Sequence, residues 1–312
     1  MITLSQINPP RNSQRQRGAA ILIMVLILML GLITLFTFRM DRRGPELEAD
    51  RKTALALAQA KEALIGKSAT NNVASGTENP GSMPCPDQDN DGGWGKGLPP
   101  PSLLATCPSS ANVGRLPWYF LQMEELRDGS SENLWLVVDP AFIDRGNPIN
   151  TNTLSTLTVD GNSVIVAIVA PGSAIAGQNR TGAGVNLPAN YLENYTSPIT
   201  TLPLSAAYND RILTITAKEL FTVVTQRMVR EFVKKLAGMG YVTYYPSSYP
   251  FPIPPASLPL PLDVWDENEW YSVAVYTPLS ATQFKLQFAK CASVFTVTWN
   301  GVSSIISRSG SC

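Results

Sequence analysis

The run from Ala19 to Phe38, AAILIMVLILMLGLITLFTF, is apolar on every side, and its only polar residues are Thr34 and Thr37. A helix rises about 1.5 Å per residue, so the run is about 30 Å long, the hydrocarbon thickness of a bilayer. A helical Thr is tolerated there because its hydroxyl bonds back to its own turn. Residues 1–17 are polar and carry Arg11, Arg15 and Arg17 but no acid, and Arg39, Arg42 and Arg43 follow the run at once. The pattern predicts a transmembrane helix over 19–38. Gly44-Pro45 predicts a kink or short break, since proline removes a backbone donor and crowds the preceding turn. Helical spacing then resumes. Leu47, Ala54, Leu57, Ala58, Leu64 and Ile65 form a stripe, with Glu48, Asp50, Arg51, Lys52 and Glu62 largely off it and Gly66 as its stop. The expectation is one long helix over 19–66, transmembrane in its first half and amphipathic in its second.

After residue 66 the pattern shortens. Residues 67–115 are rich in Asn, Gly, Ser and Pro and read as a long loop. Leu134–Val138, Leu154–Val159 and Val164–Val169 are rich in β-branched residues and predict strands. Asp160-Gly161 predicts a tight hairpin turn between the last two. Arg211–Thr216 predicts a further strand. Thr216-Ala217-Lys218-Glu219 is a capping box. It opens a helix with Leu220, Val224, Met228, Phe232 and Leu236 on one face, stopped by Gly238 and Gly240. Residues 246–261 hold seven prolines and predict an extended, rigid connector. Trp270–Tyr276 and Phe284–Ala289 predict strands, and Phe295–Trp299, Asn300-Gly301 and Val302–Ile306 predict a hairpin on a two-residue turn. The fold class expected is therefore α+β: a long N-terminal helix carrying an antiparallel-sheet head over 67–312.

Composition narrows the functions open to such a chain. It has 312 residues, 44% of them hydrophobic and 15% charged, which suits a packed core and excludes wholesale disorder. The formal net charge is zero, which argues against nucleic acid as the main partner. There is no histidine. That removes the commonest general base, the commonest metal ligand and every Ser-His or Cys-His pair. Neither Ser-x-x-Lys nor Gly-x-Ser-x-Gly occurs, so no enzymatic role is expected.

Four cysteines, Cys85, Cys107, Cys291 and Cys312, read in an exported chain as two disulfides. Three connectivities are open, and Cys85–Cys107 with Cys291–Cys312 needs the least chain reorganisation. Each of those would close a loop of about 20 residues, worth roughly 3 kcal/mol. Inside the first loop, Asp87, Asp89 and Asp91 with Gly92 give the spacing Asp-x-Asp-x-Asp-Gly. Alternate carboxylates at that spacing can converge on calcium. The twelfth position of an EF-hand would be Leu98, so an EF-hand is excluded; a solvated turn is the competing reading. The Gly-rich stretch Gly172–Gly184 matches no phosphate loop and reads as a surface loop.

Two groups of residues carry a resemblance. Arg15-Gln16-Arg17-Gly18 followed by Ala19-Ala20-Ile21-Leu22-Ile23 resembles the cleavage region of prepilin-type proteins, the minor pilins and pseudopilins of type IV pili and type II secretion systems. In that family a membrane peptidase cuts after the glycine, so the resemblance implies Gly18 as the last leader residue and Ala19 as the first mature one. Most members carry Glu as the fifth mature residue, where this chain has Ile23; the subset without it is proposed to sit at the filament tip. Met83-Pro84-Cys85-Pro86-Asp87 to Gly92, Gly114-Arg115-Leu116-Pro117-Trp118, Ala170-Pro171-Gly172 to Gly177-Gln178-Asn179-Arg180, and Tyr208-Asn209-Asp210-Arg211 are together similar to a family of Gram-negative prepilin-type proteins.

The resemblance implies a pilin-like architecture: a cytoplasmic leader over 1–18, the helix over 19–66, and a periplasmic or extracellular head whose hairpin over 291–312 is bounded by a disulfide. It implies a single pass of the inner membrane, with the filament or cell surface reached after assembly. It implies as partners a prepilin peptidase, other pilins or pseudopilins and an inner-membrane assembly platform. A pilin-anchored adhesin whose head recognises a surface ligand is the alternative.

Overall fold

The computed structural model describes residues 15–70, 79–95, 107–238, 264–280, 282–300 and 303–312. The proline-rich segment 246–261 lies outside them, as does Leu98. The chain divides into two compact units, Met1–Arg51 and Lys52–Cys312.

Helix α1 spans Arg15–Thr70 with Pro45 inside it, so of the kink or short break expected at Gly44-Pro45 the break is absent, and the helix runs past the stop expected at Gly66. The transmembrane expectation is also overturned. Among the described residues no helix is long and apolar enough to cross a membrane. Side chains are described in this part of α1 for 21–34, every one exposed. Such a run is only about 21 Å long, against the roughly 30 Å a spanning segment needs. This corrects the pilin-like fold class in its transmembrane-plus-amphipathic helix. It also corrects the single-pass inner-membrane location with a periplasmic head and a later surface position. The α+β content with antiparallel sheets holds.

Within Lys52–Cys312, α1 buries Thr53, Ala56, Leu57, Ala60, Leu64 and Ser68. This is one helical face, rotated from the expected stripe: Leu57 and Leu64 belong to both, whereas Ala54 and Ala58 are exposed. Small residues at 56 and 60 let the helix approach its neighbours closely. Lys61 donates to the carbonyl of Thr214 (2.8 Å) and pairs with Glu219 (2.5 Å). Arg227 donates to the carbonyl of Ala69 (2.8 Å).

The first sheet holds β1 (Val113–Arg115), β2 (Trp135–Val138), β5 (Val166–Ala170) and β6 (Arg211–Ile215) in the order β1-β2-β5-β6, all antiparallel. β2 and β5 are buried at every position. Leu136, Val138, Val166, Ile168 and Ala170 enter the main core, while Trp135, Val137, Ala167 and Val169 enter a second core with Leu157, Tyr191, Leu192 and Ile199. Continuous apolar runs are what a strand covered on both faces requires. Between β2 and β5 lie the two-residue strands β3 (Thr158–Val159) and β4 (Asn162–Ser163), paired with each other. Asp160 (φ 50°) and Gly161 (φ 76°) make the expected turn between them. The long hairpin expected over 154–169 is thus corrected: β5 pairs with β2 and β6 instead.

Helix α2 (Ala217–Gly238) opens on the expected box. The Glu219 N–H donates to the Thr216 hydroxyl (3.3 Å), and the Glu219 carboxylate accepts the Thr216 N–H (2.9 Å). Leu220, Val224, Met228 and Phe232 are buried along one face. Two short helices, α3 (Val264–Glu267) and α4 (Trp270–Val273), precede the second sheet, so the strand expected at Trp270 begins only at Ala274. That sheet is a meander of β7 (Ala274–Ser280), β8 (Gln283–Phe288), β9 (Val294–Trp299) and β10 (Ser304–Ser309). Its inner face carries Phe284, Leu286, Phe288, Phe295 and Val297, all buried. Phe232 of α2 meets Phe284 edge-on at 6.0 Å, and the Trp265 indole donates to the carbonyl of Met228 (3.1 Å).

Both disulfides have the short-range pairing, Cys85–Cys107 and Cys291–Cys312. Ser304 pairs with Trp299, leaving four residues between the strands rather than two. Continuing that register past Ser309↔Val294 sets Cys312 opposite Cys291. The bridge therefore joins opposed positions, and a two-residue turn would shift the two strands by two residues and separate them.

Candidate functional site

The resemblance motifs between Met83 and Arg211 meet in space, and the acidic loop is where they begin. Asp87 is buried. One carboxylate oxygen accepts the N–H groups of Asp89 (3.0 Å) and Asn90 (2.7 Å), and the other accepts that of Gly92 (2.9 Å). Asp91 likewise accepts the Gly93 N–H (2.7 Å). Carboxylate oxygens of Asp87, Asp89 and Asp91 lie within 4.8 Å of one another. Burial pushes Asp87 up to about 6, against the pull of its three backbone bonds, and the charge of Asp91 adds to the rise. Burial also raises Asp91, with the charge of Asp89 behind it.

Charge and spacing suit a hard cation, which takes six to eight oxygens at about 2.3–2.6 Å. Asp87, however, already serves its own turn with both oxygens. The local fold therefore explains the Asp-x-Asp-x-Asp-Gly spacing as a self-capped loop, and further oxygens would have to join for calcium to be held.

The loop is docked by the next motif. Asp87 and Arg115 exchange two backbone bonds, N–H to carbonyl at 2.9 and 2.8 Å. A Cβ on Gly114 would fall 2.5 Å from the Asp87 carbonyl, so only glycine allows this approach. Gly92 has φ 79°, and a Cβ there would fall 2.4 Å from the Trp118 ring. Its carbonyl accepts the Tyr119 N–H at 3.0 Å.

Arg115 then links the loop to the remaining motifs. It is buried, and among the described residues the hydrogen-bond partners of its side chain are Asn186, Val185 and Tyr191, none of them a carboxylate. Its guanidinium lies 4.8 Å from the Trp135 ring centroid and 5.2 Å from that of Tyr191. It donates to the Asn186 side-chain oxygen (2.8 Å) and to the Val185 carbonyl. Desolvated cation–π contacts of this kind are worth about 2 kcal/mol. Arg180 also lies over Tyr191, at 4.7 Å. It donates to the carbonyls of Gly172 (2.7 Å) and Asn190 (2.9 Å) and pairs with Glu132 (3.1 Å). Gly172 gives its N–H to the buried Asp128 carboxylate (2.8 Å). A Cβ on Gly172 would fall 2.8 Å from the Asn209 amide, which donates to the Ser173 carbonyl (2.6 Å).

The stretch 172–184 is thus mostly a loop, as expected, ending in a 3-10 turn over Gly182–Gly184, and it folds around a partly buried arginine. The sequence shows Arg115 and Arg180 only as parts of its motifs and gives no sign of the roles of Tyr191 and the buried Asp128. The signal available was a set of charged residues beside Gly and Pro in otherwise apolar surroundings.

Gly18 and Ala19 fall within the span of α1. A cavity of about 500 Å³ lies beside β3, β4 and β6, lined by Asp160, Asn162, Ser163, Thr201 and Thr214 among others. Its polar groups are largely engaged already. The Thr201 N–H and hydroxyl donate to Asp160 (2.8 and 2.6 Å) and hold its carboxyl below the usual range, and the Ser163 hydroxyl donates to Ser155 (3.4 Å). The chain matches no protein-family model, no curated protein and no solved structure.

Proposed function

We propose that this chain is a non-enzymatic, prepilin-type filament subunit, of the minor pilin or pseudopilin kind. It is cut after Gly18 by a prepilin peptidase, and it joins or primes a type IV pilus or a type II secretion pseudopilus. The observation that carries this reading is the first part of α1. Twelve large apolar side chains between Ile21 and Ile33 are exposed, each by half or more of its surface. Burying one such side chain is worth about 1.5–3 kcal/mol, so this surface favours association strongly even after the cost of ordering. Equivalent helices of neighbouring subunits offer the matching cover. Ile23 supports a tip position, because this subunit presents no carboxylate at the fifth mature position to a neighbour's N-terminus.

The cleavage step is tested by intact mass of the chain made with and without a co-expressed prepilin peptidase. A mature chain beginning at Ala19 is expected. A chain that still begins at Met1 when the peptidase is present removes the prepilin-type assignment.

A further inference from the structure

The segment between β5 and β6 is tied to the start of β6 by one pair of acids. Asp210 is 4% exposed. Its Oδ2 accepts the backbone N–H of Glu193 (2.9 Å). The Glu193 carboxylate returns the bond twice, accepting the N–H groups of Asn209 (3.1 Å) and Asp210 (3.2 Å) through Oε2. Its Oε1 accepts the Gln178 amide (2.7 Å). The second oxygen of Asp210, Oδ1, is buried and has no donor among the described residues. The Asp210 carboxylate thus sits on the backbone N–H of Glu193 and the Glu193 carboxylate on that of Asp210, so the two acids are held side by side. Two ionised carboxylates in that position repel each other, whereas one proton between them supplies the missing donor.

We propose that Glu193 and Asp210 form a proton-sharing latch that holds the segment over 171–195 closed on the start of β6 and loosens when the shared proton is lost. The latch sits on two of the motifs described above, Ala170 to Arg180 and Tyr208 to Arg211. It also sits two residues from Tyr191, on which Arg115 and Arg180 both stack. Leu192, between them, is buried in the second core. Opening the latch would therefore draw an aromatic and an aliphatic side chain off the face of the first sheet.

The charges around the pair agree with this behaviour. Burial, with Glu193 second, pushes the Asp210 carboxyl up to about 7. Arg180 pulls the other way, but it is shared with Glu132 and with Tyr191. The Tyr208 phenol is raised by burial and by Asp210, Glu193 and Asp160, so it stays neutral and adds no charge near neutral pH. A carboxyl raised in the closed form holds its proton more tightly there than in the open form. Its stabilising effect is therefore complete below the ordinary value of 3.8 and is lost as pH rises through about 7.

The test is amide hydrogen exchange of the full-length chain from pH 4.5 to 8.5, corrected for the intrinsic rate. Opening of 172–195 should rise by up to about tenfold per pH unit below 7 and level off above it, while β8 and β9 stay flat. Asp210→Asn, whose amide supplies a permanent donor, should keep the segment closed across the range. If that variant does not fold, Glu193→Gln carries the same expectation. A wild-type segment that shows no rise, or variants that rise as steeply as wild type, would overturn the latch.

Discussion

Two stretches of the same helix behave in opposite ways. Over 53–69, α1 is amphipathic, and Leu57, Ala60 and Leu64 are covered by the molecule's own core. Over 21–34 it is apolar on all sides, and every described side chain is exposed. Helix formation is common to both, so it does not distinguish them. What distinguishes them is whether this chain supplies the cover. The head completes its own core, with one sheet buried on both faces and one buried on its inner face. No described residue of this chain covers the apolar stretch, and the filament proposal rests on that difference.

The sharpest way to break the comparison is to cut the same side chain in both stretches. Leu64→Ala should cost about 2–5 kcal/mol in urea unfolding, because Leu64 is fully buried and leaves a cavity. Leu28→Ala should stay within about 0.5 kcal/mol at low protein concentration, because Leu28 is exposed. Equal losses would erase the distinction.

Replacing Cys291 and Cys312 together by Ser should cost the head about 3 kcal/mol and loosen the β9–β10 register, read as faster amide exchange over 304–309. Unchanged exchange there would mean that the strand pairs alone fix the register.

Asp87→Asn should cost about 1–3 kcal/mol at neutral pH, because one carboxylate oxygen facing a backbone N–H becomes a second donor. The pH profile gives an independent reading. Asp87 is raised from 3.8 to about 6, so its protonated form stabilises the fold below about 4 and that part is lost as pH rises through 6. The decline should vanish in the variant's thermal melts, and a decline of the same size in both would show that other groups cause it.

A more modest loss is expected at the start of α2. Thr216→Ala removes the cap and should cost about 1 kcal/mol.

These elements also show how far the sequence is readable. The Thr216 box and the Asp160-Gly161 turn were legible because they are local chemistry: a side chain satisfying nearby N–H groups and two residues able to adopt positive φ. The partners of β5 were not, because an all-apolar strand carries no alternation to say which strands flank it. Trp270–Tyr276 misled for a related reason. Its aromatics fit a strand by propensity, but Trp270 and Tyr271 pack from a helical turn, with Trp265 at 6.5 and 5.1 Å. The Asn300-Gly301 pair suggested a two-residue turn, yet the register is the one that brings Cys291 opposite Cys312. At the candidate site the acidic loop was visible as spacing. Its docking on Gly114 and Trp118, and the Glu193–Asp210 pair, bring together residues far apart in sequence, which no local pattern announces.

Sedimentation velocity of the full-length chain, compared with a Leu26→Lys/Leu28→Lys double variant over a concentration series, tests the central claim most directly. The account predicts that wild type associates with rising concentration while the variant stays a single species with an unchanged urea midpoint for the head. A variant that associates as wild type does would show that the exposed apolar stretch of α1 is not the assembly surface.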